Sequence, residues 1–240
     1  MDADLVAEAQ KAGAHYFPSV SITHLSRESD GWYIFRGQGR EFRSKCAILA
    51  DGVESRLARQ VGWNTALELK DLETCAFAKV DHPSIEPDTI EIQVGQSFSP
   101  GGYVWVFPRS AGCANVGLGV LASKHRPGLA KELILKFIEQ KFPKGQIRDL
   151  HCGGVPVAKG IRPLVRGGAM LVGDAARQVH ALAGAGLAYS VIAGTMAAEA
   201  AVTAFEGNHF RESALLEYDR RWFSHYGKQQ RRGYGLKSTV

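Results

Sequence analysis

Two aspartates in this 240-residue sequence each follow an apolar run and lie beside a glycine. Asp51 follows Cys46–Ala50 and precedes Gly52, and Asp174 follows Ala169–Gly173. A carboxylate at the end of a buried strand can accept hydrogen bonds from ribose hydroxyl groups or from water. Both aspartates are therefore candidate contacts to a nucleotide-like ligand.

The residues after Asp51 extend the first of these candidate sites. Ser55, Arg56 and Arg59 open a predicted helix, and a helix N-terminus attracts phosphate because its first N–H groups lack partners within the helix. An ordinary strand, turn and helix with an Asx turn at Asp51 explains the same residues equally well.

A glycine pair lies ten residues beyond Asp174. The segment Gly184-Ala185-Gly186-Leu187 opens a predicted helix rich in small residues. Glycines at a helix start let a flat or phosphorylated ligand touch the backbone. The alternative interpretation is that this helix start needs its glycines only for packing.

The usual opening loop of a dinucleotide fold, G-x-G-x-x-G between a strand and a helix, is not recognisable. Gly37-Gln-Gly39 leads into another strand and is predicted to be a turn. The segment from Gly117 to Ala122 matches G-x-G-x-x-A, but the next predicted helix begins only near Leu129. Its glycines therefore cannot cap a helix, and the match is weak.

An aromatic segment carries the most specific pattern. Tyr103, Trp105 and Phe107 alternate, Pro108 follows, and eight residues later comes the pair Gly117-Leu-Gly119, with the alternation predicting a strand. A strand packed in the core explains the alternation but not the Phe-Pro followed by G-x-G.

Helices and strands of both kinds must position these motifs. Hydrophobic periodicity and turn residues predict helices over Asp4–Ala12, Leu129–Phe142, Ala185–Phe205 and Ser213–Tyr226. They predict strands over Ser19–His24, Gly31–Arg36, Phe42–Ala50, Glu73–Val80, Thr89–Val94, Tyr103–Phe107, Cys113–Leu121 and Ala169–Val172. This order indicates an α+β fold, in which an antiparallel sheet is inserted into a nucleotide-binding α/β half.

The motifs together resemble the geranylgeranyl reductase family of the FAD-dependent reductase and hydroxylase superfamily, which includes digeranylgeranylglycerophospholipid reductases. The resemblance rests on the Asp-Gly segment Ala50–Arg59, on Gly173-Asp174-Ala175-Ala176, and above all on the pattern Y-x-W-x-F-P, eight residues, G-x-G from Tyr103 to Gly119. It extends from the first helix to about Ala204.

The resemblance implies a bound FAD and an apolar tunnel for an isoprenoid chain. The implied cofactor-binding residues are Asp51, Gly52, Ser55, Arg59, Gly173, Asp174, Ala175, Gly184, Gly186 and Leu187. The implied substrate-binding residues are Tyr103, Trp105, Phe107, Pro108, Gly117 and Gly119. No proton donor is identifiable, and Tyr103 is only a candidate because a phenol normally has a high pKa.

The activity implied is reduction of C=C bonds in geranylgeranyl chains of lipids, with hydride from reduced flavin and electrons from NAD(P)H or ferredoxin. A flavin-dependent aromatic monooxygenase or halogenase is the alternative from the same superfamily. A non-catalytic isoprenoid- or lipid-binding fragment is the alternative from another class.

The sequence departs from the family in two places. Ala181 occupies the position of a proline that usually precedes the flavin-contacting G-x-G, and the opening Rossmann unit has no counterpart. We therefore expect a fragment that by itself holds FAD poorly. Its expected parts are the remainder of the FAD domain (1–69), the antiparallel substrate-binding region (70–160), a second FAD-binding segment (161–205) and a C-terminal helical segment (206–240).

Composition excludes several classes of protein. Hydrophobic residues at 45% and charged residues at 22% argue against disorder. The net charge of +5 is spread along the chain. The small clusters Lys228–Arg232 and Asp219–Arg221 are interpreted as solvated faces rather than as a nucleic-acid or membrane patch. Four scattered cysteines without metal-ligand spacing (Cys46, Cys75, Cys113 and Cys152) indicate reduced thiols and no metal site.

The stretch Val179–Ala198 is uncharged over twenty residues, which is long enough to span a bilayer. Because it is mostly Ala and Gly, we interpret it as a helix packed inside the protein. The acidic N-terminus is unlike a signal peptide. We expect a cytoplasmic protein whose lipid substrate brings it into transient contact with a membrane surface.

Overall fold

The computed structural model describes residues 2–237. Its helices are α1 (Asp2–Lys11), α2 (Arg56–Gln60), α3 (Leu129–Lys141), α4 (Leu187–Glu206), α5 (Glu212–His225) and α6 (Gly227–Lys237). Its strands are β1 (His24–Arg27), β2 (Tyr33–Gly37), β3 (Arg40–Ser44), β4 (Ala47–Leu49), β5 (Leu72–Asp81), β6 (Glu91–Val94), β7 (Tyr103–Ser110), β8 (Cys113–Leu121), β9 (Gln146–Pro156), β10 (Val165–Arg166) and β11 (Ala169–Leu171).

An antiparallel sheet in the order β6-β7-β8-β5-β9 forms the middle of the chain. Successive side chains of a strand point to opposite faces of the sheet, so alternate residues of each strand lie on different faces. Ala76, Ala78 and Val80 of β5 face a core completed by Ile134 and Ile138 of α3. The intervening residues of β5, β7 and β8 are left for the other face, which contains the candidate site.

A second sheet, in the order β10-β11-β4, brings the two aspartate segments together. β4 and β11 run parallel, with Leu49 opposite Leu171, and the Val172 N–H donates to the Leu49 carbonyl at 3.1 Å. Because parallel strands end at the same edge of a sheet, the residues that follow β4 and β11 are neighbours. This sheet packs on α4 and α5 through a core that includes Trp222.

The N-terminal strands differ from the predicted runs. The run Phe42–Ala50 divides into β3, which pairs with β2, and β4, which joins β11 in the other sheet. The run Ser19–His24 was predicted too early, since the strand begins at His24. Ser19 has a positive φ of 61°, and the Ser21 N–H donates to the side chain of Gln38 rather than to a sheet.

Two elements near the end of the chain bear on the predicted charged clusters. α6 was not predicted, and its Gln230 is buried, donating to the Arg177 carbonyl and accepting from the indole of Trp222. Asp219 of α5 is buried too and accepts the Leu164 N–H at 2.8 Å. The interpretation of both clusters as solvated faces was therefore wrong for these two residues.

α4 is buried on one side only. Its small residues Ala193, Ala197 and Ala200 pack on the core, whereas Val202 and Phe205 are exposed. By length and composition it could cross a membrane, and 22% of its apolar window is buried. The expectation of a helix enclosed by protein is right for the alanine face and wrong for the opposite face. The combination of helices with antiparallel and parallel strand pairs confirms the predicted α+β class.

Candidate active site

A cleft of about 610 Å³, here called the glycine cleft, opens at the shared edge of β4 and β11. Its lining consists of Ala50, Gly52, Val155, Val172, Gly173, Asp174, Gly184, Gly186, Leu187, Ser190 and Gly194. Because so many of these residues lack a side chain, backbone groups form much of the wall. A flat or phosphorylated ligand can therefore approach the main chain closely.

The glycines of the second aspartate segment are required by close contacts. A Cβ atom on Gly186 would lie 3.1 Å from Oδ1 of Asp174, and one on Gly173 would lie 3.0 Å from Oγ of Ser190. Gly173 also has a positive φ of 63°, which L side chains rarely adopt. The absence of side chains at these two positions therefore allows the end of β11 to lie directly against the start of α4.

A buried hydrogen-bond network fixes the turn that carries Asp174. Gln178 accepts the Gly173 N–H at 2.7 Å and donates to the hydroxyl of Tyr218, which donates to the Leu171 carbonyl. With the backbone satisfied in this way, the Asp174 carboxyl is left to line the cleft. Burial raises its pKa.

An apolar cavity of about 780 Å³ lies on the open face of the five-stranded sheet and is here called the aromatic cavity. Its lining consists of Glu73, Cys75, Phe77, Tyr103, Trp105, Phe107, Val155, His180, Gly184, Ala185, Gly186, Leu187, Ala188, Tyr189 and Gln229. The Trp105 ring lies 6.0 Å from that of Tyr103 and 6.1 Å from that of Phe107. The three predicted aromatic residues thus form one continuous apolar wall.

The G-x-G of the motif makes room for larger side chains on the same face. A Cβ atom on Gly117 would overlap the Trp105 ring and lie 2.7 Å from Cβ of Phe77. A Cβ atom on Gly119 would lie 2.7 Å from Oε2 of Glu73. The motif therefore pairs glycines on β8 with side chains that lie across them from β7 and β5.

Tyr103, the predicted candidate proton donor, is held by the segment across the cavity. Its hydroxyl donates to the Ala183 carbonyl at 2.6 Å. Burial, together with the nearby Glu73, raises the pKa of this phenol above its ordinary value. The hydrogen bond ties Tyr103 to the segment before the Gly184–Leu187 turn, and the raised pKa makes its hydroxyl a weaker acid. A role of Tyr103 as proton donor stays a prediction.

The glycine cleft and the aromatic cavity meet at the Gly184–Leu187 turn. Val155, Gly184, Gly186 and Leu187 line both spaces. The turn is fixed by the His180 N–H donating to the Ala185 carbonyl and by Gly184, which has a positive φ of 60°. A ligand in the cleft and a ligand in the cavity would therefore touch across this turn.

Comparison with known proteins shows what this arrangement resembles. The family model for the geranylgeranyl reductase catalytic domain matches residues 71–156, which hold the five-stranded sheet. The predicted resemblance to the geranylgeranyl reductases is confirmed. The matched residues include all six predicted substrate-binding positions.

Relatives extend the likeness to the rest of the chain. A digeranylgeranylglycerophospholipid reductase of Methanothrix thermoacetophila is 35% identical over 98% of this chain and 61% of its own length. The enzyme of that name from Methanosarcina acetivorans is 39% identical over 92% of this chain and 56% of its own length. The chain thus spans about three fifths of the length of these relatives.

Solved structures show the same fold. A geranylgeranyl bacteriochlorophyll reductase-like protein of Thermoplasma acidophilum superposes with a TM-score of 0.90 at 31% identity, covering 99% of this chain and 62% of that protein. A myxobacterial FAD-dependent halogenase superposes with a TM-score of 0.72 at 17% identity, covering 96% and 57%. At that identity the halogenase shows a shared fold alone.

The structure brings together only some of the site residues that were predicted for this chain. Gly52, Gly173, Asp174, Gly184, Gly186 and Leu187 line the glycine cleft. Ala175 is buried and is not among the residues that line this cleft, and Pro108 lies on β7 opposite Ala114. Arg59 lines a different pocket of about 390 Å³ and donates to the Glu54 carbonyl.

Asp51 and Ser55 bind each other and their own helix. Asp51 accepts the Leu57 N–H at 3.0 Å and the Ser55 hydroxyl at 3.3 Å, and Ser55 is buried. This geometry is an ordinary strand, turn and helix, as in the alternative interpretation, but the Asp51 carboxylate accepts from the first turn of α2 rather than forming an Asx turn. A role of Asp51 and Ser55 in cofactor binding stays a prediction.

Sequence reasoning missed several residues of the aromatic cavity. Glu73 and Phe77 come from β5, His180 from the loop after β11, and Gln229 from α6. The signal available for Glu73 was its position in the alternating run of β5, where an odd-numbered residue shares a face with Cys75 and Phe77. No local pattern could show that residues about a hundred positions later cover that face.

Proposed function

We propose that this chain forms the substrate-binding part and one wall of the flavin site of an FAD-dependent enzyme that reduces C=C bonds in geranylgeranyl chains of lipids. One observation carries the proposal: the aromatic cavity and the glycine cleft share the Gly184–Leu187 turn. An apolar chain in the cavity would meet a flat ligand in the cleft at that turn.

The residues of the glycine cleft fit a flavin. Gly173 and Gly186 leave a cradle that Cβ atoms would fill, and the unpaired N–H groups at the start of α4 suit a carbonyl oxygen. Asp174 supplies a carboxylate for hydroxyl groups. When bound, reduced FAD supplies hydride. Gly52, Gly173, Asp174, Gly184, Gly186 and Leu187 would hold it.

The aromatic cavity fits an isoprenoid chain. Affinity for such a chain comes mainly from apolar area removed from water, at about 25 cal/mol per Å². Trp105 is held in place by its indole N–H, which donates to Oδ1 of Asn115 at 2.7 Å, and it leaves its ring face to the cavity. The same wall excludes water from the place where the double bond would lie.

The proposal also includes the electron donor, the uptake of the substrate and the roles of the parts of the chain. The electron donor would be NAD(P)H or ferredoxin, and a membrane-borne substrate would be taken up during transient contact with the lipid surface. The division into residues 1–69, 70–160, 161–205 and 206–240 assigns substrate binding to the second part and flavin contacts to the first and third.

Product analysis tests the proposed activity. The full-length flavoprotein, reduced anaerobically with dithionite, is expected to add two hydrogens for each double bond of a lipid bearing geranylgeranyl chains, as read by mass spectrometry. Hydroxylated or halogenated product in a parallel assay with O₂, or lipid binding without flavin, would instead support the alternatives. Either result would overturn the proposal.

A pair of tryptophan variants tests the role of the cavity. Trp105→Ala should weaken binding of the lipid chain roughly 10-fold to 100-fold, because it removes one of the largest apolar surfaces from the wall. Trp32→Ala, in the N-terminal region beside Arg43, is the matched control and should leave lipid affinity unchanged. Equal affinities for the two variants would place the lipid outside the aromatic cavity.

A further inference from the structure

We propose that the carboxyl group of Glu73 donates the proton to the double bond. This inference rests on the proposed function, because it assigns the second half of the same reduction. Adding hydrogen across C=C requires a hydride for one carbon and a proton for the other. The Tyr103 hydroxyl, the earlier candidate, donates to the Ala183 carbonyl.

The position of Glu73 places its carboxyl where the proton is needed. Its side chain is only 8% exposed and lines the aromatic cavity from β5. Cβ atoms built on Gly119 and Gly184 would lie 2.7 Å and 3.7 Å from its Oε2. The carboxyl therefore lies over β8 and next to the turn at which the cavity meets the glycine cleft.

The contact with Gly119 gives the G-x-G motif a second purpose. A Cβ atom at residue 119 would approach Oε2 of Glu73 to 2.7 Å, so any side chain there would displace the Glu73 carboxyl from its present position. Gly119 is also fixed through its carbonyl, which accepts the hydroxyl proton of Ser99. The motif thus keeps open the space in which the Glu73 carboxyl lies.

The surroundings of Glu73 keep a substantial fraction of its carboxyl group protonated near neutral pH. Burial raises its pKa to about 7, although the charge of Lys237 acts in the opposite direction. The Lys237 ammonium group donates to the carbonyls of Lys70 and Val157 and to Asp71. A carboxylic acid with a pKa near the working pH is well suited to general acid catalysis.

Three other titratable groups lie near Glu73: the Cys75 thiol, the Tyr103 phenol and the His180 imidazole. Burial raises the pKa of the Cys75 thiol to about 12 and that of Tyr103 above its ordinary value. His180 also lines the cavity. Glu73 is therefore a better acid than the nearby thiol and phenol. The variant Glu73→Gln, described below, decides between Glu73 and His180.

The proton balance of the step is complete. The Glu73 O–H bond breaks as a C–H bond forms at one alkene carbon, the π bond breaks, and the other carbon receives the hydride that reduced FAD supplies. Glu73 is left as a carboxylate, and a proton from solvent restores it before the next double bond is reduced. The double bond gains two electrons and the flavin loses two, so the electron donor, NAD(P)H or ferredoxin, would have to reduce the flavin again before the next double bond is reduced.

Two variants of the full-length flavoprotein test the proposal. Glu73→Gln keeps the shape of the side chain but cannot donate an acidic proton, and single-turnover reduction of the lipid should slow roughly 100-fold to 10,000-fold. Glu139→Gln, the same change on the exposed side of α3, is the matched control and should reduce the lipid at the wild-type rate. Affinity for the lipid and for FAD should stay within about 2-fold in both variants, since neither loses apolar wall.

A second readout needs no flavin. Infrared spectra of the full-length apoprotein should show a buried carboxylic acid that ionises at about pH 7 and that is missing in Glu73→Gln. A wild-type rate in Glu73→Gln, or the absence of this carboxylic acid from the spectra, would overturn the role of Glu73. A wild-type protein that reduces no geranylgeranyl lipid at all would overturn the proposed function instead, so the two failures are distinguishable.

Discussion

The segments that follow β4 and β11 begin alike and end differently. Both place an aspartate after a strand, and the two strands lie side by side. The Asp51 carboxylate accepts the Leu57 N–H and the Ser55 hydroxyl, whereas the Asp174 carboxyl lines the glycine cleft while Gln178 satisfies the backbone nearby. A carboxylate is free for a ligand when another side chain satisfies the backbone around it.

The difference follows from what comes after each aspartate. The Asp51 segment starts the five-residue helix α2, and the aspartate itself supplies its cap. The Asp174 segment passes through a short 3-10 helix and the Gly184–Leu187 turn before α4 begins. The extra length leaves room for a cleft between the aspartate and the helix.

Filling the glycine cleft should have the largest effect on FAD binding if the Asp174 segment, and not the Asp51 segment, contacts the flavin. Gly186→Val would push a branched side chain into the space between Asp174 and Val179, where a Cβ atom alone would approach each to 3.1 Å. FAD affinity of the full-length protein should fall at least roughly 100-fold, because the ligand loses its contact with the backbone.

Gly153→Val is the matched control for Gly186→Val. Gly153 has open space around its Cβ position and lines the pocket beside Arg56 and Arg59, next to the first aspartate segment. Its FAD affinity, measured by the same fluorescence titration, should match that of wild type. A larger loss in Gly153→Val than in Gly186→Val would move the flavin to the first segment.

A third acidic side chain, Glu73, should make the free energy of unfolding depend on pH. Its folded-state pKa is raised from about 4.5 to about 7 by burial, so the folded state binds the proton more tightly than the unfolded state. Stability is therefore full below about pH 4.5 and falls as the pH rises through about 7. The loss amounts to at most roughly 3 kcal/mol.

Glu73→Gln removes this dependence. Wild type and variant should unfold at similar denaturant concentrations at about pH 4.5, and the variant should be the more stable of the two at about pH 8. Cys75, Tyr103 and Lys237 interact electrostatically with the same carboxyl, His180 lines the same cavity, and all four are retained in both proteins. A stability difference that does not change with pH would contradict a raised pKa at Glu73.

The sequence predicted four of the five strands of the five-stranded sheet, β5 to β8, because alternation is a local signal. It predicted the aromatic wall because Y-x-W-x-F-P is a specific motif. Glu73 was missed because a lone glutamate in an alternating run is usually a solvated residue. Its burial comes from the Gly184–Leu187 turn and from α6, which are distant in sequence.

The missed elements have the same cause. α6 is rich in glycine and charge, so its periodicity is weak. It is held by the tertiary contacts of Gln230 and Lys237. β9 shows little alternation because it is an edge strand paired only with β5. Local patterns determine which residues can form an element, and long-range contacts determine whether these weaker ones do.

The smallest expected effect separates the two aspartates directly. Asp174→Asn keeps a hydrogen-bonding side chain in the glycine cleft but removes its charge, and it should weaken FAD binding roughly 10-fold.

Asp51→Ala removes the acceptor of the Leu57 N–H and should lower the free energy of unfolding by about 1 kcal/mol, with a smaller effect on FAD affinity than Asp174→Asn. Asp88→Ala, at an exposed position between β5 and β6, is the control for both measurements. If Asp51→Ala weakened FAD binding more than Asp174→Asn while leaving stability unchanged, Asp51 would contact the ligand rather than cap α2. The two segments would then be alike in function as well as in sequence.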